Sequence, residues 1–322
     1  MSDTLYVVVP CYNEEEVLPE TSFRLKNKLD SLEQRGKISS KSRILFVDDG
    51  SKDNTWKLIE GLHKDDPDHF SGLKLSRNKG HQNALMAGLM EAKSRADMVV
   101  SMDADLQDDI GVIDGFVDKY HQGCDVVYGV RSDRKRDSGF KRFTAQSFYK
   151  IMGLLGVNLV YNHADCRLMS RRALEGLAEF KEVNLFLRGI VPLVGYKSDM
   201  VEYSRGERFA GESKYPLRKM LAFAWDGVTS FSVKPIRFIT VLGFIVLLIS
   251  LGLMIYTFVR NLTGNTVPGW STLMGSIWLL GGLQIFSLGI VGEYVGKIYQ
   301  EAKGRPKYII ETLLDKEEDQ TE

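Results

Sequence analysis

Two kinds of hydrophobic pattern divide the chain. Up to about residue 215, short apolar runs alternate with longer segments of mixed polarity. LYVVVP at Leu5–Pro10, ILFV at Ile44–Val47 and MVVSM at Met98–Met102 are too short for helices and lack polar alternation. They read as strands buried on both faces. Weaker strands are expected at Leu73–Leu75 and Asp125–Tyr128, and helices at Glu14–Gln34, Asp53–Lys64, Gly80–Arg95 and Ile110–His121. Strand and helix in alternation define the α/β class, a mostly parallel sheet with helices on both faces. Ligands of such sheets bind at the carboxyl ends of the strands. The polar clusters Cys11–Glu14, Asp48–Ser51 and Asp103–Asp109 fall there.

The second pattern is an absence of charge. Phe238–Val259 is 22 residues without a charged side chain, and none occurs from Asn261 to Gly292, whose apolar part spans Ser271–Gly292. Each run can cross a hydrocarbon core of about 30 Å as a helix. Joined by Pro268-Gly269-Trp270, they read as a transmembrane hairpin. Arg218, Lys219, Lys234 and Arg237 precede it, Lys297, Lys303, Arg305 and Lys307 follow it, and the connection holds only Arg260. Positive flanks mark the cytoplasmic side, so both termini are expected there. Charge begins at Asp3, so no signal peptide is expected. The expected organisation is an α/β domain over 1–215, an amphipathic juxtamembrane segment over 216–236, transmembrane helices over 237–260 and 270–293, and a cytoplasmic C-terminal segment over 294–322 ending in a solvated DKEEDQTE tail. Arg218–Ser232 mixes apolar and basic residues as an interfacial helix does. Gly281, Gly282 and Gly289 suit close helix packing and point to a homo-oligomer.

Composition changes this picture little. With 42 Lys+Arg against 42 Asp+Glu, the net charge is zero, which gives no footprint for nucleic acid. Hydrophobic residues at 44% and charged residues at 26% exclude disorder, collagen and coiled coil. Three cysteines without a CxxC pair argue against a disulfide framework or zinc site and suit a reducing compartment. The mean hydropathy of −0.15 is that of a soluble protein, but it averages over two unlike halves.

The strand ends carry carboxylates. Neither GxGxxG nor GxxxxGK[ST] occurs, so a dinucleotide site and a P-loop are not expected. In an extended segment Asp103 and Asp105 point the same way, with Gln107 continuing the row. Hard oxygen donors of this kind suit Mg²⁺ or Mn²⁺ bridging a diphosphate. Asp108 or Asp109 is expected to cap the helix from Ile110.

At this point the motifs become specific. Val8–Leu18 (VVPCYNEEEVL), Phe46–Trp56 (FVDDGSKDNTW), Asn78–Gly88 (NKGHQNALMAG) and Met102–Asp108 (MDADLQD) resemble family 2 glycosyltransferases of the GT-A fold. The branch they resemble uses polyprenol phosphates: dolichol-phosphate mannose synthases and bactoprenol glucosyltransferases. Ala164–Met169 (ADCRLM) is similar to its GDFRLM-type motif, and Arg208–Arg218 (RFAGESKYPLR) to its R-x-x-G-x-SKY element. Ala164-Asp165-Cys166 departs from the more usual Gly-Asp-Phe but keeps the aspartate.

The resemblance implies a role for each candidate. Pro10, Tyr12, Glu14 and Asp48 would frame the base and ribose, with Asp49 in the same loop and Asp103 beside them. Asp103, Asp105 and Gln107 would hold the metal and the donor sugar, and Asp105 and Asp165 would be the catalytic carboxylates. Arg208, Ser213 and Lys214 would close over the departing diphosphate, and Arg131 and Arg142 would clamp the acceptor phosphate. A phosphate monoester has its second pKa near ~6, so it hardly needs a base; Asp165 is expected mainly to position the acceptor or its cation. The implied reaction is inverting transfer of a hexose to undecaprenyl or another polyprenyl phosphate at the cytoplasmic face of a bacterial plasma membrane, for cell-envelope glycosylation. UDP-glucose is the first-choice donor, ahead of UDP-N-acetylhexosamine and GDP-mannose. A processive polysaccharide synthase would show QxxRW, which is absent. A non-catalytic scaffold would not need the carboxylates, Arg131 and Lys214 together.

Overall fold

The computed structural model describes residues 2–131, 163–183, 186–203 and 270–315, with scattered positions between 236 and 252. The chain divides into two compact units. One draws on residues 1–149, 159–215 and 305–322, the other on 150–158 and 216–304.

The first unit is built on one eight-stranded sheet in the order β7-β5-β6-β4-β1-β2-β3-β8. Its centre comes from the apolar runs: β1 (Leu5–Cys11), β2 (Arg43–Asp48), β3 (Phe70–Leu75) and β4 (Met98–Ser101). These pair in parallel as β3-β2-β1-β4. Helices α1 (Leu18–Gln34), α2 (Thr55–Asp65) and α3 (His81–Ala92) make the crossovers. Helix α4 (Val112–His121) leads to β5 (Val126–Arg131). The sheet is GT-A-like and mixed. Strand β6 (His163–Ser170) lies antiparallel between β4 and β5, while β7 (Ser198–Tyr203) pairs in parallel with β5 at one edge. Helix α5 (Arg171–Ala178) and the short turn α6 (Leu187–Ile190) fall between β6 and β7.

Packing fixes the strand ends in place. Leu18, Leu25, Leu29 and Leu32 bury one stripe of α1, and Phe46 and Phe116 are fully buried in the same core. Helix α1 begins four residues after Glu14 because Glu14 carbonyl already accepts from Val17 and Leu18 in a turn. Pro19, which has no N–H to leave unpaired, then suits the first turn. Helix α3 lies against β1 and β2 so closely that a Cβ on Gly88 would stand 2.4 Å from Val8 Cγ1.

The C-terminal segment contributes a strand that the apolar pattern does not mark. Strand β8 (Ile310–Leu314) pairs antiparallel with β3 and completes the sheet. Residues 316–322, which include most of the expected tail, lie outside the described ones.

In the second unit α7 (Trp270–Lys303) is a 34-residue helix, running past the expected end of the second span. Leu273, Ile277, Ile285, Phe286 and Leu288 are exposed on it. Among the described residues no helix is long and apolar enough to cross a membrane. The juxtamembrane stretch 216–235 and most of the first expected span lie outside the described residues.

Candidate active site

The carboxyl ends of β1 and β2 form one wall. Cys11 stands opposite Asp48 in the β1–β2 register. Pro10 is buried within β1, and beyond it Tyr12 is 40% exposed and Glu14 half-buried. Asn13 adopts a left-handed φ of 54°, donates its N–H to Ser51 Oγ at 2.9 Å and accepts from Lys52 N at 2.8 Å. These bonds tie the loop after β1 to the loop after β2. Both loop carboxylates are turned inward. Asp48 is fully buried and accepts from Ser51 N at 3.2 and 3.3 Å. Asp49 accepts from Lys79 N at 2.6 Å and Gly80 N at 2.8 Å. Burial pushes both carboxyl groups up, against the backbone N–H groups that favour the ionised form. As folded, Asp48 and Asp49 lock turns, and Tyr12 and Glu14 present the open surface.

Gly50 shows how tight this junction is. Its φ is 68°, and a Cβ there would meet Asn78 N at 2.6 Å. Gly50→Ala is expected to cost about 1–3 kcal/mol of stability. A thermal scan of the variant beside wild type measures it.

The second wall is a row of charges across β4, α3 and β6. Asp103 follows β4, and a third of its side chain (33%) is exposed. His81, at the start of α3, places Nε2 3.5 Å from Asp103 Oδ1 and 4.0 Å from Asp165 Oδ2. Asp165 on β6 accepts from Arg188 Nε at 3.0 Å, Arg188 Nη2 at 2.9 Å and Arg167 Nη2 at 2.8 Å. Ser101 Oγ donates to the Asp165 carbonyl at 2.6 Å, fixing β6 on β4. Burial, with the charges of Asp165, Asp108 and Asp105, pushes the Asp103 carboxyl up to about 6 against the pull of His81. Burial acts the same way on Asp165, but Arg188 and Arg167 outweigh it and hold that carboxyl well below the usual range.

The Asp103–Gln107 loop differs from the extended row expected. It turns at Ala104–Asp105, with Leu106 at a left-handed φ of 56°, because Asp105 Oδ1 accepts from Gln107 N at 3.1 Å. Thr21 Oγ1 donates to the Ala104 carbonyl at 2.8 Å and anchors the loop on α1. Asp108 does not cap α4: it is buried and accepts from Tyr203 Oη at 2.6 Å. Asp109 Oδ1 takes Gly111 N at 2.8 Å.

Among the described residues no three His, Cys, Asp or Glu side chains form a ready-made metal cage. The donor set nonetheless fits a divalent cation. Mg²⁺ sites of nucleotide enzymes commonly use one or two carboxylates, with waters and substrate phosphates supplying the rest. Burial is the main reason the Asp103 carboxyl is raised, and the charges of Asp165, Asp108 and Asp105 add to it; a cation bound there would favour its ionised form.

Arg131 ends β5, its backbone opposite Tyr203 in the register with β7. Arg142, Arg208, Ser213 and Lys214 lie outside the described residues. Three residues that the motif reading passed over join the site: His81, Arg167 and Arg188. His81 stood inside a quoted motif, directly after Gly80 at a helix start. Arg188 is the lone charge between Asn184 and Gly195, a signal that could have singled it out.

Residues 6–177 match the family described as Glycosyl transferase family 2, and residues 234–298 match the GtrB C-terminal hairpin. The mixed sheet with this carboxylate-lined edge is that of GT-A-like transferases, and within that class the chain belongs to glycosyltransferase family 2. It is a glycosyltransferase. An uncharacterized glycosyltransferase of Bacillus subtilis (strain 168), YkoT, is 56% identical over 98% of this chain and 93% of that protein. A bactoprenol glucosyl transferase of Shigella phage SfV is 41% identical, over 96% of this chain and 99% of that protein. A prophage bactoprenol glucosyl transferase homolog of Escherichia coli (strain K12) is 39% identical, with 95% and 98% covered.

Proposed function

We propose that this glycosyltransferase moves glucose, with inversion, from UDP-glucose to the phosphate of a polyprenyl phosphate such as undecaprenyl phosphate. The observation that carries the proposal is the near full-length likeness to proteins named bactoprenol glucosyl transferase, hairpin included. The site chemistry suits it. Tyr12 and Glu14 take the base and ribose over a floor shaped by Pro10, Asp48 and Asp49. Asp103, with Asp105 and Gln107, would hold Mg²⁺ or Mn²⁺. When bound, that cation neutralises charge on the diphosphate. Arg208, Ser213 and Lys214 close over the same group, and Arg131 and Arg142 grip the acceptor phosphate by two-pronged contacts. An acceptor phosphate oxygen attacks the anomeric carbon as the bond to the diphosphate breaks and UDP leaves. The acceptor is already dianionic at neutral pH, so no enzyme nucleophile is needed.

The acceptor's chain stays in the bilayer while the donor is water-soluble, so the reaction belongs at the membrane surface. The 237–260 and 270–293 segments serve as two spans, with 1–215 as the catalytic domain and both termini in the cytoplasm. The 216–236 segment lies along the interface, 294–322 is a cytoplasmic C-terminal segment, and Gly281, Gly282 and Gly289 pack against a second copy. The test uses full-length protein in membranes with undecaprenyl phosphate and radiolabelled UDP-glucose. Label is expected in the lipid extract, lost with EDTA and restored by Mg²⁺ or Mn²⁺. A glycolipid with retained anomeric configuration overturns the mechanism, and label entering only from another nucleotide sugar overturns the donor.

A further inference from the structure

We infer that Arg188 is a phosphate-binding residue of this site and that Asp165 is the positioning residue that holds it there. The inference rests on the transferase reading above and deepens it.

The geometry of Asp165 is that of a post between two guanidinium groups. Arg188 reaches its two oxygens through Nε and Nη2 at 3.0 and 2.9 Å, the paired contact that fixes a guanidinium plane as well as its place. Arg167 donates to the first of these oxygens at 2.8 Å. The two arginines differ in reach. Arg167 is 1% exposed, so its charge is spent inside the domain. Arg188 has 35% of its side chain in solvent, and its Nη2 shares Asp165 Oδ2 with His81 Nε2, which in turn faces Asp103. Two guanidinium groups share one carboxylate, so the trio carries a net positive charge, and Arg188 is the member that a ligand can reach from solvent.

The backbone beneath Arg188 is fixed as well. Phe186 and Leu187 are buried, and Leu187 N donates to Gln82 Oε1 at 2.9 Å. The start of α3 thus holds both His81 and the turn that carries Arg188. A guanidinium held from both ends loses little freedom when it binds an anion. A carboxylate whose oxygens each hold arginine N–H groups is, by contrast, poorly placed to take a proton from an acceptor that has none to give. The shared need of the acceptor phosphate and the departing diphosphate is a fixed cation, and Arg188 supplies one.

The experiment compares full-chain wild type, Arg188→Ala, Arg188→Lys, Asp165→Asn and the Arg188→Ala/Asp165→Asn double variant in detergent. It reads inorganic pyrophosphate binding by calorimetry, and kcat and KM with polyprenyl phosphate. Arg188→Ala is expected to weaken one or both affinities by about ten- to a hundredfold. Loss confined to pyrophosphate assigns Arg188 to the donor side, loss confined to polyprenyl phosphate to the acceptor side, and either supports the inference. Arg188→Lys keeps the charge without the fork and falls between. Asp165→Asn reproduces the affinity defect, and the double variant is no weaker than Arg188→Ala alone. If Asp165→Asn does not fold, because Arg167 is left buried without its carboxylate, the two Arg188 variants decide. The inference is overturned if Arg188→Ala leaves both affinities unchanged, if wild type binds neither probe, or if Asp165→Asn stops turnover while both affinities hold. A wild type that binds pyrophosphate but transfers no sugar overturns the proposed function, and the pyrophosphate arm still decides Arg188.

Discussion

Asp103→Asn is expected to lower sugar transfer by about two to three orders of magnitude while the domain melts no earlier than wild type. The two halves of that expectation come from one cause. Burial makes Asp103 costly to ionise, and the charges of Asp165, Asp108 and Asp105 add to that cost against the pull of His81. A group kept at such a place is more useful to a ligand than to the fold. Asparagine preserves the shape and removes the charge, so the repulsion is relieved and stability holds or rises. What is lost is the anion that a cation would neutralise, and with it the group that balances the donor diphosphate. Paired measurement of kcat and melting temperature checks this. A fall in melting temperature that tracks the fall in activity would make Asp103 a structural residue, held by His81, and would remove it from the chemistry.

The sequence pattern located the strand ends better than it ranked the residues on them. Strands β1, β2 and β4 were legible because both faces are buried, so their runs are continuous and apolar. Strand β6 was not, because a strand containing Arg167 and Asp165 does not look apolar; only the fold shows that the arginine is buried and the aspartate its partner. Strand β8 was hidden because its partner β3 lies at the far end of the sequence and its own face stays half open. Asp48 and Asp49 illustrate the limit at the site itself. A carboxylate after a strand looks the same in sequence whether it faces a ligand or its own loop. Here the backbone N–H groups of Ser51, Lys79 and Gly80 bind both carboxylates, a structural role that spacing does not show and that leaves lone pairs for a ligand. The Asp103–His81–Asp165–Arg188 row joins four separate segments, and no spacing along the chain encodes it.

Ending the chain after Arg305 is expected to lower the melting temperature by about 10 °C and to reduce transfer with it. The deletion removes the β8 ladder, in which Gly72 faces Leu314, Leu73 faces Leu313 and Lys74 faces Thr312. It also removes Asp315, which accepts from Arg43 Nη1 at 2.7 Å and Ser71 Oγ at 3.0 Å and pairs with Arg95. Arg43 and Arg95 would lose their shared carboxylate, the buried Ser71 hydroxyl its acceptor, and β3 would become an open edge. Lost hydrogen bonds and a broken part-buried ion pair together amount to about 3–5 kcal/mol. The effect reaches the site because Ser76 N donates to the Ile309 carbonyl at 3.0 Å. That bond fixes the chain just before Lys79 and Gly80, whose N–H groups Asp49 holds. Asp315→Ala separates the contributions: it spares the ladder and the Ser76 contact, so it should lower the melting temperature by about a third as much and leave transfer nearly intact. If the point variant destabilises as much as the deletion, the ion pair rather than the strand is what the C-terminal segment contributes. If it also stops transfer, the route from β8 to the loop after β3 runs through Arg43 and Arg95 and not through Ser76.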